Sequence, residues 1–277
     1  MTIWLIGGTQ ESAELAQAIV SCQWPCVVTM TTDSARSLYP IAPTLRLWVG
    51  QLNLETIRAF IHIHAIHCII DASHPFAVAV SELAVSTAKQ HQIPYLRYER
   101  PSLKKPDTAP GNQPKIAAQP HPQPKPSQAI FHLKDVPDLL AGDYLTGQRV
   151  LLTIGYRLLS LFHAWHDRAE LFARILPSTT ALQAALAAQF TNDRLIAIRP
   201  PISAALEKAL WQQWNISTVV TKASGTAGGE DVKQQVAKDL GVTLIVIDRP
   251  SIAYPQQTSS IEAALAFCTQ FHSPPLP

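Results

Sequence analysis

Four stretches of the sequence gather residue types that can do chemistry. Gly7-Gly8-Thr9 follows the apolar run Thr2 to Ile6 and precedes Ala13, Leu15, Ala16, Ile19 and Val20 at roughly helical spacing. Glycines admit a tight turn, Thr9 stands where an N-cap belongs, and free amides backed by a helix dipole cradle phosphate. The complete G-x-G-x-x-G fingerprint is absent, so an ordinary strand-to-helix turn satisfies the same pattern. Asp71-Ala72-Ser73-His74-Pro75-Phe76-Ala77 offers an acid, a hydroxyl and an imidazole before a proline suited to a first helical turn. Arg97 and Arg100 stand three positions apart near the end of another run, where guanidinium groups can clamp carboxylates. Thr221 to Lys233 is a Gly/Ser loop carrying Lys222, Ser224, Gly225 and Gly229, with Lys233 in the helix beyond. Its amides and ammonium groups suit an anion, although the Gly-Lys-Ser/Thr of a Walker A loop is missing.

These residues need elements to position them. Thr2–Ile6, Cys26–Met30, Thr44–Val49, Ile66–Asp71 and Pro94–Tyr98 predict strands, with helices around Leu54 to Ile61 and over Val78 to His91. The carboxyl ends of parallel strands line a crevice, so Asp71, Ser73 and His74 are expected beside the Gly7-Gly8 turn. The second strand ends in Thr31-Thr32-Asp33-Ser34-Ala35-Arg36, where a dinucleotide fold reads the adenosine ribose. Arg36 with Ser34 favours a 2′-phosphate, while Asp33 favours a free 2′-hydroxyl unless it turns outward. We favour NADP and assign Gly7, Gly8, Thr9, Thr31, Ser34, Arg36, Asp71 and Ser73 to the cofactor.

From Pro101 onward, prolines mixed with Lys, Gln, Ser and Gly predict an extended spacer with no core of its own. Beyond it, Ala129 to Leu133, Arg149 to Gly155, Glu170 to Leu176, Arg194 to Arg199, Ser217 to Thr221 and Val242 to Ile247 alternate with helical stretches, one of them around Leu158 to Phe162. The expected fold class is therefore α/β, with two Rossmann-like domains, mainly parallel sheets and an inter-domain cleft. We expect an NADP-binding domain over 1–100, a Pro-rich linker over 101–128 and a second α/β domain over 129–277. Arg174 and Arg199 sit near strand ends, where an anion contact and an ion pair are equally good readings.

The bulk numbers exclude several classes. The 277 residues are 47% hydrophobic and 15% charged, ample for globular cores and too weakly charged for a disordered chain. A net charge of +2, from 22 basic and 20 acidic side chains, gives no global reason to bind nucleic acid or membrane. The first apolar run is too short for a signal peptide or a spanning helix, and the scattered Cys22, Cys26, Cys68 and Cys268 suit reduced, structural thiols. A cytoplasmic location is expected. His62, His64 and His67 fall on a helix end and a strand, not a shared face, so no metal site is expected.

In combination, Gly-Gly-Thr-x-Glu from Gly7, Asp-Ala-Ser-His-Pro-Phe-Ala from Asp71, Tyr-Leu-Arg-Tyr-Glu-Arg-Pro from Tyr95 and the Lys222 loop resemble the precorrin-6A reductase family of cobalamin biosynthesis. That family usually has Thr where Ser73 stands, and its Ser-Leu-Ala-Gly-Arg-Thr segment is matched only in part by Thr32 to Ser37. The resemblance implies an NADPH-dependent reduction of precorrin-6A, or its cobalt counterpart, by hydride transfer to the macrocycle. It implies a tetrapyrrole polycarboxylate as partner, for which Arg97, Arg100, Arg174, Lys222, Ser224, Gly225, Gly229 and Lys233 are the candidate contacts. His74 is the candidate proton donor. We expect a monomer or weak homo-oligomer. A non-catalytic NADP(H)-sensing module and an adenosylmethionine-dependent methyltransferase remain as alternatives. A short-chain reductase does not, since no tyrosine has a lysine four positions later.

Overall fold

The computed structural model describes residues 2–100 and 130–271. The spacer expected over 101–128 lies outside the described residues. In chain order the elements are β1 (Thr2–Ile6), α1 (Gln10–Ser21), β2 (Cys26–Met30), β3 (Leu45–Val49), α2 (Ile57–His64), β4 (Ile66–Asp71), α3 (Val78–His91) and β5 (Tyr95–Tyr98). There follow β6 (Ile130–Leu133), α4 (Val136–Ala141), β7 (Arg149–Leu152), β8 (Glu170–Ile175), α5 (Thr179–Ala187), β9 (Leu195–Ala197), α6 (Ala204–Gln213), β10 (Thr218–Lys222), α7 (Glu230–Leu240) and β11 (Thr243–Ile247). The last elements among the described residues are β12 (Gln257–Thr258) and α8 (Ile261–Thr269). The stretch expected as a helix around Leu158 to Phe162 is instead a 3-10 segment, Tyr156–Trp165.

Two units result, each with its own six-stranded sheet, and among the described residues every strand pair is parallel. The first sheet has the order β12-β5-β4-β1-β2-β3, so the strand order reverses between β1 and β4. The second runs β6-β11-β10-β7-β8-β9 and reverses between β7 and β10. Open parallel sheets bind ligands at the carboxyl ends of the strands flanking such a reversal.

Burial on both faces explains the near-continuous apolar strands. Side chains alternate across a strand, so Ile3 and Leu5 of β1 join one core with Leu15, Ile19 and Val28. Trp4 and Ile6 point the other way, into a core with Val27, Ile57, Phe60 and Ile69. The second unit repeats this with Leu151, Phe172, Val219, Val236 and Val246. Serine side chains at Ser178, Ser203 and Ser260 cap α5, α6 and α8, and Gly241 at φ 67 closes α7. Among the described residues, no helix is long and apolar enough to cross a membrane.

The expected second domain of 129–277 needs correction. Its last elements belong to the first unit: β12 pairs with β5, Gln257 opposite Arg97, and Ala264, Phe267 and Cys268 of α8 enter the core of Ile3 and Leu5. The physical reason is coverage. One face of the first sheet carries α1 and needs a second helix to exclude water, which α8 supplies. Phe267→Ala should therefore destabilise by about 3–5 kcal/mol. Amide hydrogen exchange should quicken in β1, β4 and β5 while β7, β10 and β11 keep their protection.

Candidate active site

At the reversal of the first sheet, Gly7 donates its amide to the Thr29 carbonyl at 2.9 Å, and Gly8 takes φ +101, which favours glycine. Thr9 caps α1 in a reciprocal box with Ser12: its Oγ1 accepts the Ser12 amide at 3.1 Å, and Ser12 Oγ accepts the Thr9 amide at 3.0 Å. Thr9 Oγ1 also donates to the Ala72 carbonyl at 3.1 Å. That bond ties the turn after β1 to the turn after β4 and brings Gly7, Gly8, Thr9, Ser73 and His74 to one end of the sheet. A strand, a glycine turn and a capped helix at a sheet reversal suit the diphosphate of a dinucleotide.

Thr31, Ser34 and Arg36 are all exposed where β2 gives way to a 3-10 turn, Asp33–Leu38. Asp33 does turn outward, 83% exposed, yet its carboxylate accepts from Arg36 Nε at 2.6 Å. So exposed a pair adds little to stability. Its effect is to place a carboxylate against the guanidinium assigned to the 2′-phosphate.

Asp71 and Arg97 have different surroundings from those expected. Both side chains are 0% exposed, and Arg97 Nη1 donates to Asp71 Oδ1 at 2.9 Å. Asp71 Oδ1 also accepts the Ser73 amide at 3.0 Å, and Oδ2 accepts from Ser81 at 2.6 Å and Tyr95 at 2.8 Å. Arg97 Nε reaches Glu99 at 2.9 Å, and its guanidinium lies over the Tyr254 ring. Asp71 as a cofactor contact and Arg97 as a carboxylate clamp are therefore corrected: each is sealed within the first unit. Ser73, 6% exposed, is also held in this network, its Oγ 3.2 Å from Arg97 Nη1. Arg100 is half-buried and paired with Glu14. His74 is exposed, and its Nδ1 accepts the Phe76 amide at 3.2 Å, which leaves the proton of the neutral ring on Nε2.

In the second unit the loops after β7 and β10 lie at the sheet reversal. Gly225 at φ 67 opens the turn after Lys222-Ala223-Ser224, but its amide donates to the buried Glu230 carboxylate at 2.8 Å. Lys233 is 3% exposed, and its ammonium donates to the Gly228 and Gly229 carbonyls at 2.8 and 3.1 Å. Gly225 and Lys233 thus hold the loop's shape, a correction to their assignment as substrate contacts. Gly229 at φ 66 enters α7. Arg174 pairs with Glu207, which also accepts from Trp211 Nε1 at 3.0 Å. Arg174, Pro201, Thr226, Gly228, Gly229 and Lys233 line a pocket. Lys222 is half-buried, and burial with the nearby Arg157 guanidinium brings its pKa down to about 8. Burial, then Arg174, does the same to Lys233.

Sequence reasoning missed Tyr39, Ser81, Tyr95, Glu207, Glu230 and Arg157. Glu207 and Glu230 carried a signal, each an acidic residue in a first helical turn, and Tyr95 stood within a motif already singled out. The others arrive through tertiary contacts.

Two parallel sheets, each with a functional-type loop at its reversal point, define a Rossmann-like α/β protein. The family model described as precorrin-6x reductase CbiJ/CobK matches residues 2–269, and the chain belongs to that family of oxidoreductases of cobalamin biosynthesis. A cobalt-precorrin-6A reductase from Synechocystis sp. is 46% identical over 99% of this chain and 97% of its own length. One from Priestia megaterium is 30% identical, covering 94% and 95%. A solved CobK precorrin-6A reductase has the same fold, with TM-score 0.75 at 21% identity over 99% of this chain and 98% of that one.

Removing one member of a buried ion pair leaves an uncompensated charge, so Asp71→Ala should destabilise by about 3–5 kcal/mol. Urea unfolding should show this, and adding Arg97→Met should restore part of the loss.

Proposed function

We propose that this chain reduces the ring of cobalt-loaded precorrin-6A with NADPH, hydride going to one carbon of a double bond and a proton to its neighbour. Family membership carries this reading, and two relatives at 46% and 30% identity both bear the cobalt form in their names. The coenzyme assignment draws on the glycine turn, the Thr9 cap and Arg36 with Ser34 beside it. When bound, the nicotinamide supplies the hydride; the chain's own task is to orient and to shield. We assign the proton to His74, which delivers it from Nε2 as an imidazolium whose Nδ1 no longer accepts the Phe76 amide, and Ser73, held by the buried Asp71 network, is the residue just before it. Lys222, Ser224 and Arg174, with Gly229 shaping the loop and Arg100 in the first unit, are the contacts we assign to substrate carboxylates. A monomer or weak homo-oligomer in the cytoplasm fits this role.

Anaerobic incubation with NADPH and either cobalt-loaded or metal-free precorrin-6A tests the reading by loss of nicotinamide absorbance. Oxidation with the cobalt form is expected, and none with either form would refute it. In the same assay His74→Ala should slow turnover by about 10²-fold or more with NADPH affinity kept. Carboxylate binding needs the Lys222 ammonium, which is present below about 8 and lost above it. The substrate kcat/KM should therefore fall as pH rises through that value. Lys222→Arg keeps its charge throughout and should weaken that fall; an unaltered profile would exclude Lys222 as its source.

A further inference from the structure

The glycine turn closes on Tyr39. The Tyr39 hydroxyl accepts the Gly8 amide at 2.7 Å and lies 2.6 Å from Ser12 Oγ. Ser12 Oγ in turn donates to the Thr9 carbonyl at 2.7 Å. One assignment uses every hydrogen once: Gly8 donates to Tyr39, Tyr39 to Ser12, and Ser12 to Thr9. Burial pushes the Tyr39 phenol above its ordinary value, so it keeps its proton at neutral pH.

The fit is also steric. A Cβ on Gly7 would stand 2.3 Å from the Tyr39 oxygen and 2.8 Å from Val28 Cγ1. Gly7 is therefore a glycine because a tyrosine hydroxyl and a valine occupy the space beside it. Tyr39 is 7% exposed, anchored in the core with Ala35, Ala13 and Val28. It also follows directly on the 3-10 turn that carries Asp33, Ser34 and Arg36. One side chain thus joins the segment assigned to the ribose to the turn assigned to the diphosphate.

We propose that Tyr39 is a positioning residue for the coenzyme, anchoring the glycine turn and drawing the Gly8 amide inward. The diphosphate is then left to the first amides of α1, those of Gln10 and Glu11, which have no acceptor within the helix. This rests on the NADPH reading above.

Tyr39→Phe removes the oxygen and keeps the ring. In fluorescence titrations the variant should bind NADPH about tenfold more weakly. Its affinity for adenosine 2′-phosphate, which has no diphosphate, should be unchanged, and steady-state kinetics should show a raised KM for NADPH rather than a lowered kcat. Equal losses for both ligands, or no loss for either, would overturn the proposal while leaving the coenzyme reading intact. A wild-type chain that bound no NADPH would overturn both. Slow amide exchange at Gly8 in the ligand-free wild-type chain is expected as well, and fast exchange there would overturn the proposal without any variant.

Discussion

A guanidinium with no exposure to water sits between two carboxylates at the carboxyl end of the first sheet. Arg97 reaches Asp71 on the neighbouring strand and Glu99 two residues along its own chain. Desolvating such charges is expensive, and the arrangement holds because Asp71 receives further hydrogen bonds from Ser73, Ser81 and Tyr95. The pair has a geometric consequence. It fixes the chain at Ser73, one residue before His74, and places Tyr254 over Arg97, where the returning chain lays β12 beside β5. A single buried charge thereby sets both the proposed catalytic turn and the seat of the C-terminal segment.

The same device recurs at each loop where ligands are expected. A polar side chain from elsewhere turns inward and satisfies a backbone group that a loop would otherwise leave open to solvent. Tyr39 takes the Gly8 amide, Glu230 takes the Gly225 amide, and Lys233 takes the carbonyls of Gly228 and Gly229. Buried polar groups demand partners, and these loops find theirs within the protein. Their shape is thus set internally, which limits how much must be ordered when a ligand arrives. It also takes the Gly8 and Gly225 amides and the Lys233 ammonium out of the groups that a ligand could meet.

Much of this was legible in the residues. Apolar strands buried on both faces, glycines at their carboxyl ends and caps such as Thr9 are local signals, because side-chain period, backbone freedom and capping depend on near neighbours in sequence. Val78 to His91 is helical over the span expected, and the parallel α/β class follows from the alternation. The family motifs are short and contiguous, so they too could be read without coordinates.

Tertiary structure alone decided where polar groups point. Asp71 and Arg97 have the residue types of ligand contacts, yet their burial depends on β4 and β5 being adjacent and on Tyr254 arriving from far along the chain. The pairing of Gly8 with Tyr39 spans 31 positions, and no periodicity encodes it. Nor could the apolar stripe of α8 declare which sheet it covers, since either would bury the same side chains. Sequence pattern determines which residues leave water; only packing determines against what.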